Sequence, residues 1–204
     1  MKNAKCFKLV LGATALLAAS FFLAACKPLE DDSQSGSLLL VEKITGTDSQ
    51  GKEVDFLQSD VVRFDALTGI LSWRADAAKA TLSASMLDPD PLLGPSQYND
   101  IQVSRYVVSY TRADGHNIQG ADVPYSFEGG LSILIRVGTP TVISFVIVPE
   151  VAKQQAPLLN LYQGNPGDIL NVTAKVEFYG RDLANKTVKA TGYLTVYFAN
   201  YVDQ

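Results

Sequence analysis

The chain has 204 residues, of which 17 are Lys or Arg and 21 are Asp or Glu, so its formal net charge is −4. An acidic protein repels the phosphates of nucleic acids and of anionic lipid surfaces, and nucleic acid is therefore not expected as a partner. The two cysteines, Cys6 and Cys26, both lie near the N-terminus, and the length suits one domain of ordinary size.

The first 25 residues have the pattern of a secretory signal peptide. Three lysines within the first eight residues precede an apolar segment, residues 9–23. This segment is shorter than the roughly 20 residues that a membrane-spanning helix needs. Two alanines come directly before Cys26, and a signal peptidase requires small side chains at this position. We therefore expect cleavage before Cys26.

The sequence Leu23-Ala24-Ala25-Cys26 resembles the lipobox of bacterial lipoproteins. The resemblance covers residues 1–26 and implies that the thiol of Cys26 receives a diacylglyceryl group and that this cysteine becomes the N-terminus. In lipoproteins of many diderm bacteria an aspartate in the next position retains the protein on the inner membrane, so Lys27 favours the outer membrane. The alternatives are an ordinary signal peptide with a chance cysteine and an uncleaved anchor helix.

Residues 26–37 are expected to form a flexible, acidic tether between the lipidated cysteine and a domain at residues 38–204. The segment is polar and poor in apolar residues, so it cannot form a packed core. Cleavage would remove three lysines and change the formal net charge from −4 to −7. The mature chain would then contain no free thiol and no disulfide, and its stability would depend on its core.

Beyond the tether, apolar and polar residues alternate in many short segments, as they do in antiparallel strands with one buried face. In chain order, strands are predicted at residues 38–45, 70–73, 80–86, 101–112, 131–137, 142–148, 170–179 and 188–198. About seven to nine strands of this kind predict an all-β fold, an Ig-like antiparallel β-sandwich.

Three of these strands carry more specific predictions. The apolar parity shifts within residues 101–112, which predicts a β-bulge near Ser104-Arg105. Asp114-Gly115 predicts a hairpin turn directly after that strand. Residues 142–148 are almost entirely apolar, which predicts a central strand buried on both faces.

The last two predicted strands and their loop, Gly180-Arg181-Asp182-Leu183-Ala184-Asn185-Lys186-Thr187, resemble the final hairpin of bacterial Ig-like and fibronectin III-like modules. Those modules often carry an Asp-x-Ala-Gly-Asn loop, whereas here the glycine is missing and Ala184-Asn185 stand in its place. The resemblance implies an Ig-like fold, and in such modules the role is usually spacing, adhesion or subunit contact.

Few residues of the mature chain are suited to catalysis. His116 is the only histidine, and it is expected to be a solvated turn residue because it follows Asp114-Gly115. A catalytic triad or a transition-metal site needs more nitrogen or sulfur groups than this. A glycosidase needs a pair of carboxylates in a cleft, and no such pair is marked out. We therefore expect no enzyme activity and no cofactor.

Calcium is an alternative ligand because oxygen atoms suffice to bind it. The acidic residues that could supply oxygens are Asp88, Asp90 and Asp100 in one segment and Asp48, Glu53 and Asp55 in another. Neither segment has the spacing of an EF-hand loop, and clusters of Pro and Asp typically form turns. We therefore interpret both as turns, with calcium as the alternative.

Four tyrosines near the C-terminus form the best candidate binding surface. Tyr179, Tyr193 and Tyr197 share the polar face of the last hairpin by strand alternation, and Tyr201 lies just beyond. Each ring combines apolar area with a polar hydroxyl, which suits contact with a protein or a sugar. The preferred alternative is that these rings pack against their cross-strand neighbours, beneath lysine stems.

The anchor, the tether and the sandwich together predict a non-enzymatic protein-binding or assembly module of the cell envelope, held in the bilayer by Cys26. It would contact another envelope protein through the tyrosines or through the long loops at residues 88–100 and 149–168, since connections of that length are often functional. The alternative function is a carbohydrate-binding or adhesive surface lipoprotein.

Overall fold

The computed structural model describes residues 35–65, 67–88, 94–164 and 168–201. Cys26 and most of the predicted tether lie outside the described residues. The described strands are β1 (Ser37–Thr47), β2 (Glu53–Val54), β3 (Phe56–Asp60), β4 (Arg63–Asp65), β5 (Ile70–Ser72), β6 (Asp76–Met86), β7 (Ile101–Thr111), β8 (Phe127–Ile135), β9 (Thr141–Val148), β10 (Leu170–Asp182) and β11 (Thr187–Ala199). Three short helices accompany them, namely a 3-10 helix (Gln97–Asn99), α1 (Glu150–Lys153) and α2 (Leu158–Gln163).

Two main sheets form the fold. The first has the strand order β2-β1-β6-β9 and the second has the order β3-β11-β10-β7-β8, while β4 and β5 form a separate two-stranded sheet. Neighbouring strands are antiparallel except for β3, which runs parallel to β11. The protein is an all-β sandwich, which confirms the predicted fold class.

The core lies between the two main sheets and follows from the alternation in the sequence. Its centre is an edge-to-face cluster in which the ring of Phe145 lies 5.1 Å from that of Tyr106 and 5.4 Å from that of Phe178. Such aromatic pairs add to the free energy gained by burying their area. The hydroxyl of Tyr110 donates a hydrogen bond to the carbonyl oxygen of Ile147 at 2.5 Å, and burial raises the pKa of Tyr110.

The β10–β11 hairpin and the bulge in β7 are confirmed. The hairpin register runs from Leu170 opposite Phe198 to Arg181 opposite Thr187. The register of β7 against β8 shifts between Val103 and Arg105, which is the predicted bulge position. The opposite strand β10 has a matching shift at Gly180. A Cβ atom on Gly180 would lie 2.5 Å from the carbonyl oxygen of Gln102, so glycine is required by this close approach.

One prediction about the strands is wrong, and another holds only in part. Strand β9 lies at the edge of its sheet, and Val142 on its outer face is 65% exposed. Its almost continuous apolar sequence therefore does not reflect burial on both faces. The predicted hairpin is present, since β7 pairs with β8 and the Gly115 N–H donates to the Arg112 carbonyl oxygen in a turn, but residues 112–126 make the connection longer than that turn.

Other elements were not predicted. Residues 53–65 contain three short strands, whose two to five residues are too few to show an alternation. The predicted loop at residues 149–168 contains α1 and α2. The packed domain also begins before residue 38, because Ser35 is buried and its hydroxyl donates to the Asp182 carboxylate at 2.6 Å.

The strand directions give the sandwich two distinct ends. We call the end that holds Ser35 the proximal end, and it also contains the β10–β11 turn because Ser35 contacts Asp182. The opposite end, which we call the distal end, contains the end of β1, the start of β6, the start of β10 and the end of β11. The chain therefore enters the domain at the proximal end. The two ends are about 35 Å apart, which is the length of an 11-residue strand such as β1.

Substituting Gly180→Ala should lower the free energy of unfolding by about 1–3 kcal/mol, since the added methyl group meets the backbone of β7. Gly130→Ala in β8 is the matched control, because a Cβ atom there meets no atom within 4 Å. Urea unfolding of both variants tests this expectation. Equal stabilities of the two variants would contradict the close approach at the bulge.

Candidate functional site

A groove of about 670 Å³ lies at the distal end, over the polar face of β10 and β11. Four side chains from these strands form its floor. Asn171 lies opposite Tyr197, and Thr173 lies opposite Thr195. Since directly paired residues project from the same face of a sheet, the floor presents one amide, one phenol and two aliphatic hydroxyls side by side. We call this cavity the β10–β11 groove.

Two elements wall the β10–β11 groove. Helix α2 contributes Asn160 and Leu161, and the β7–β8 connection contributes charged side chains. Ile169, which is 60% exposed, forms an apolar part of the rim. The charged residues of the lining are Arg112, Asp114 and Asp122. The groove is therefore mainly polar, with a short apolar edge.

The charged wall is organised around Asp114. The Nε of Arg112 donates to Asp114 Oδ1 at 3.1 Å, and a terminal guanidinium nitrogen of Arg112 bonds to Asp114 Oδ2. The backbone N–H of His116 also donates to Asp114 Oδ1. Principally because of the hydrogen bond from Arg112, the pKa of Asp114 is lowered to about 2. The carboxylate therefore stays ionised at neutral pH, and the side chain of His116 is solvent-exposed.

The four predicted tyrosines do not form one continuous row. The ring of Tyr179 packs beneath two cations, with Arg105 Cζ 4.0 Å and Lys189 Nζ 5.2 Å from its centroid. This is the preferred packing alternative, and the contacts are of the cation–π type. Towards the distal end, Glu177 follows on the same face and pairs with Lys189 at 2.5 Å and with Lys175 at 2.9 Å. These ion pairs separate Tyr179 from the groove.

The other three tyrosines lie further towards the distal end. Tyr193 is 62% exposed and is not part of the groove lining. Tyr197 lines the groove, and the ring of Phe56 meets it edge-on at a centroid distance of 5.7 Å. The hydroxyl of Tyr201 donates to the carbonyl oxygen of Tyr197 at 3.3 Å. Tyr197 is therefore the one predicted tyrosine that belongs to the β10–β11 groove.

A second distal groove of about 670 Å³ is lined by Arg63, Phe64, Arg74, Asp76 and Tyr201, among others. Below Asp76 lies Lys153, whose side chain is 2% exposed. Its Nζ lies 2.8 Å from Asp76 Oδ2 and donates to the carbonyl oxygen of Asp60 at 2.7 Å. A buried ammonium group requires such partners. No sequence pattern indicated this pair, because Lys153 lies in a segment that was predicted to be a loop.

Strands β4 and β5 and the turn between them carry four exposed apolar side chains at the distal end. We call residues 63–65 and 67–72 the arm. Phe64 lies opposite Leu71, and Asp65 lies opposite Ile70. The exposed apolar residues of the arm are Phe64 (47%), Leu67 (98%), Ile70 (61%) and Leu71 (37%). A cluster of exposed apolar residues of this kind typically marks an interaction site.

Four of the six acidic residues considered for calcium have other partners. Asp48 Oδ1 accepts the backbone N–H groups of Gln50 and Lys52, as in a turn. Asp100 Oδ1 accepts the N–H of Val137. Glu53 and Asp55 pair with Lys79 and Lys43, and Asp90 lies outside the described residues. Within the described ranges, no group of three or more His, Cys, Asp or Glu residues could hold a metal ion.

No helix in the described part of the chain is both long and apolar enough to cross a membrane. Comparisons with known proteins identify no family either, since no family model and no curated protein matches this chain. The function therefore has to be inferred from the geometry and chemistry of the distal end.

Lys153→Met should lower the free energy of unfolding by about 3 kcal/mol, because it leaves the Asp76 carboxylate without its buried counter-ion. Lys79→Met removes an ammonium group from a solvent-exposed pair with Glu53 and should have a much smaller effect. Urea unfolding at pH 7 compares the two variants. A loss for Lys153→Met no larger than that for Lys79→Met would contradict the importance of the buried pair.

Arg112→Gln should raise the pKa of Asp114 from about 2 towards its ordinary value of 3.8. The folded pKa is lowered, so the contribution of this pair to stability is complete above the unfolded pKa and is lost as the pH falls towards 2. Carboxyl ¹³C NMR titration of the wild type and the variant measures the change. Arg181→Gln, whose guanidinium contacts Asn185 instead, is the control and should leave the titration of Asp114 unchanged.

Proposed function

We propose that this protein is a lipid-anchored envelope lipoprotein that acts as a non-enzymatic protein-binding or assembly module. The observation that carries the proposal is the arm, which exposes four large apolar side chains at the distal end. Apolar and aromatic residues of this size are the ones that dominate the binding energy of protein interfaces when a partner buries them.

The lipobox-like sequence at Cys26 supports the membrane anchor, and Lys27 favours the outer membrane. Two or three acyl chains would hold the protein stably in the bilayer. The chain that leads from Cys26 joins the domain at Ser35, where the hydroxyl is bonded to Asp182 at the proximal end. The anchor would therefore hold the proximal end near the bilayer and leave the distal end available to a partner.

The chemistry around the arm supports a protein partner over a lipid surface. Residues 66–71 include no charged residue, and the adjoining groove is lined by Arg63 and Arg74 together with Asp48, Asp60 and Asp76. A protein partner with an apolar cleft and a rim that carries both charges would match these features. The mature chain, however, would carry a formal net charge of −7, which opposes close contact of the whole domain with anionic lipid. Tyr193 on the outer face of β11 is 62% exposed and is a second candidate contact.

A photo-reactive phenylalanine derivative at Leu67, introduced into the native lipoprotein, should crosslink to one discrete protein in intact cells. The same group at Leu183, which is 45% exposed at the proximal turn, is the matched control. The adduct at Leu67 should disappear in an Ile70→Asp background, because the added charge cannot enter an apolar cleft. An identical adduct pattern at both positions, or no adduct at Leu67, would overturn the proposed role of the arm.

The anchor has a separate test. Cys26→Ser should abolish labelling with a radioactive fatty acid and release the protein from the membrane fraction, because the serine hydroxyl is not a substrate for diacylglyceryl transfer. Normal labelling and sedimentation of the variant would show that the anchor assignment is wrong, independently of the crosslinking result.

A further inference from the structure

The β10–β11 groove differs in chemistry from the arm, which is the surface proposed above as the main protein contact. Its floor consists of Asn171, Thr173, Thr195 and Tyr197. These side chains can donate and accept hydrogen bonds in several directions. From this arrangement we propose that the β10–β11 groove is a binding site for a neutral oligosaccharide.

The size and rigidity of the groove suit such a ligand. Its volume of about 670 Å³ lies within the range of roughly 300–1,000 Å³ that is common for small-ligand sites. The floor residues lie on two directly paired strands in the longest hairpin of the described chain, and sites on strands are held more precisely than sites on loops. The polar groups therefore have fixed spacings, as recognition of a fixed array of sugar hydroxyls requires.

Tyr197 supplies the one aromatic surface of the groove lining. Its position is fixed on one side by the edge-on ring of Phe56 at 5.7 Å. The backbone carbonyl of Tyr197 accepts the hydroxyl of Tyr201 at 3.3 Å. A ring with few accessible rotamers loses little conformational entropy on binding. It offers apolar area to the C–H groups of a sugar ring, while its hydroxyl remains a hydrogen-bonding group.

The charges of the lining argue for a neutral saccharide over an acidic one. Arg112 is already bonded to Asp114 through two nitrogen atoms. Asp122 is the remaining charged residue of the lining, and its carboxylate accepts the backbone N–H of Ile118. The local charge is therefore negative, and a uronic acid or phosphate would be repelled.

The same floor argues against an apolar peptide segment as the occupant. Covering Asn171, Thr173 and Thr195 with apolar side chains would remove their water without replacing its hydrogen bonds. An unpaired amide or hydroxyl in such an interface costs free energy, whereas the hydroxyls of a sugar would satisfy each of them. The site is therefore distinct in chemistry from the arm, and its existence does not depend on a protein partner.

The test uses the chain from Lys27 onwards, since the compact unit that begins at Ser35 contains every described strand. Isothermal titration calorimetry measures binding of four neutral hexasaccharides, built from glucose in α-1,4 or β-1,4 linkage, from mannose and from N-acetylglucosamine. A galacturonic acid hexamer is the acidic comparison. We expect at least one neutral hexasaccharide to bind more tightly than the acidic one.

Two variants locate the site. Asn171→Ala should weaken binding of that hexasaccharide by about tenfold, which corresponds to the loss of one well-made hydrogen bond of about 1.4 kcal/mol. Tyr193→Ala removes an exposed tyrosine from the same sheet face outside the groove and should leave the affinity unchanged. Urea unfolding of each variant checks that the fold is intact.

Three outcomes would overturn the proposal: no binding of any neutral hexasaccharide, preferential binding of the acidic hexamer, or equal effects of Asn171→Ala and Tyr193→Ala. Ile70→Asp in the arm should leave saccharide affinity unchanged, so failure of the saccharide site and failure of the protein-binding proposal can be distinguished.

Discussion

The register of β10 against β11 is the constraint on which the rest of the structure depends. A shift of one residue would exchange the two faces of these strands. The observed register turns Phe178 and Phe198 into the core and leaves Asn171 and Tyr197 on the outer face. The turn of the same hairpin contains Asp182, which holds Ser35. One pairing therefore sets the core, the floor of the groove and the point where the chain enters the domain.

The two ends of the sandwich differ in the chemistry they offer. The proximal end contains the β10–β11 turn and the contact between Ser35 and Asp182. The distal end carries the arm and both described grooves. The buried ion pair of Lys153 and Asp76 lies at the second of these grooves. This division matches the proposal of a module that is anchored at one end and binds at the other. A lipid anchor alone would hold the domain in the envelope, whereas the distal end gives it surfaces for a ligand.

Much of the fold could be predicted from the sequence because long strands with one wet face have a strong alternation. This is why β10, β11 and the bulge at Ser104 were predicted correctly. The pattern misleads for an edge strand such as β9, because Val142 is apolar like a core residue and yet is exposed. The groove was only partly foreseen, since Tyr197 was identified from its own strand. Its walls come from Asn160 and Arg112, which are distant in the chain and which no local pattern brings together.

In the arrangement that we propose, the anchor would hold the proximal end near the bilayer and present the distal end away from it. The most direct measurement is energy transfer from a donor dye to acceptor lipids in vesicles that contain the acylated protein. The dye is attached to a single new cysteine, at Ala184 in the proximal turn or at Ala113 beside the groove. Stronger transfer from Ala184 than from Ala113 is the result that we predict. Equal transfer from both positions, or stronger transfer from Ala113, would contradict this arrangement.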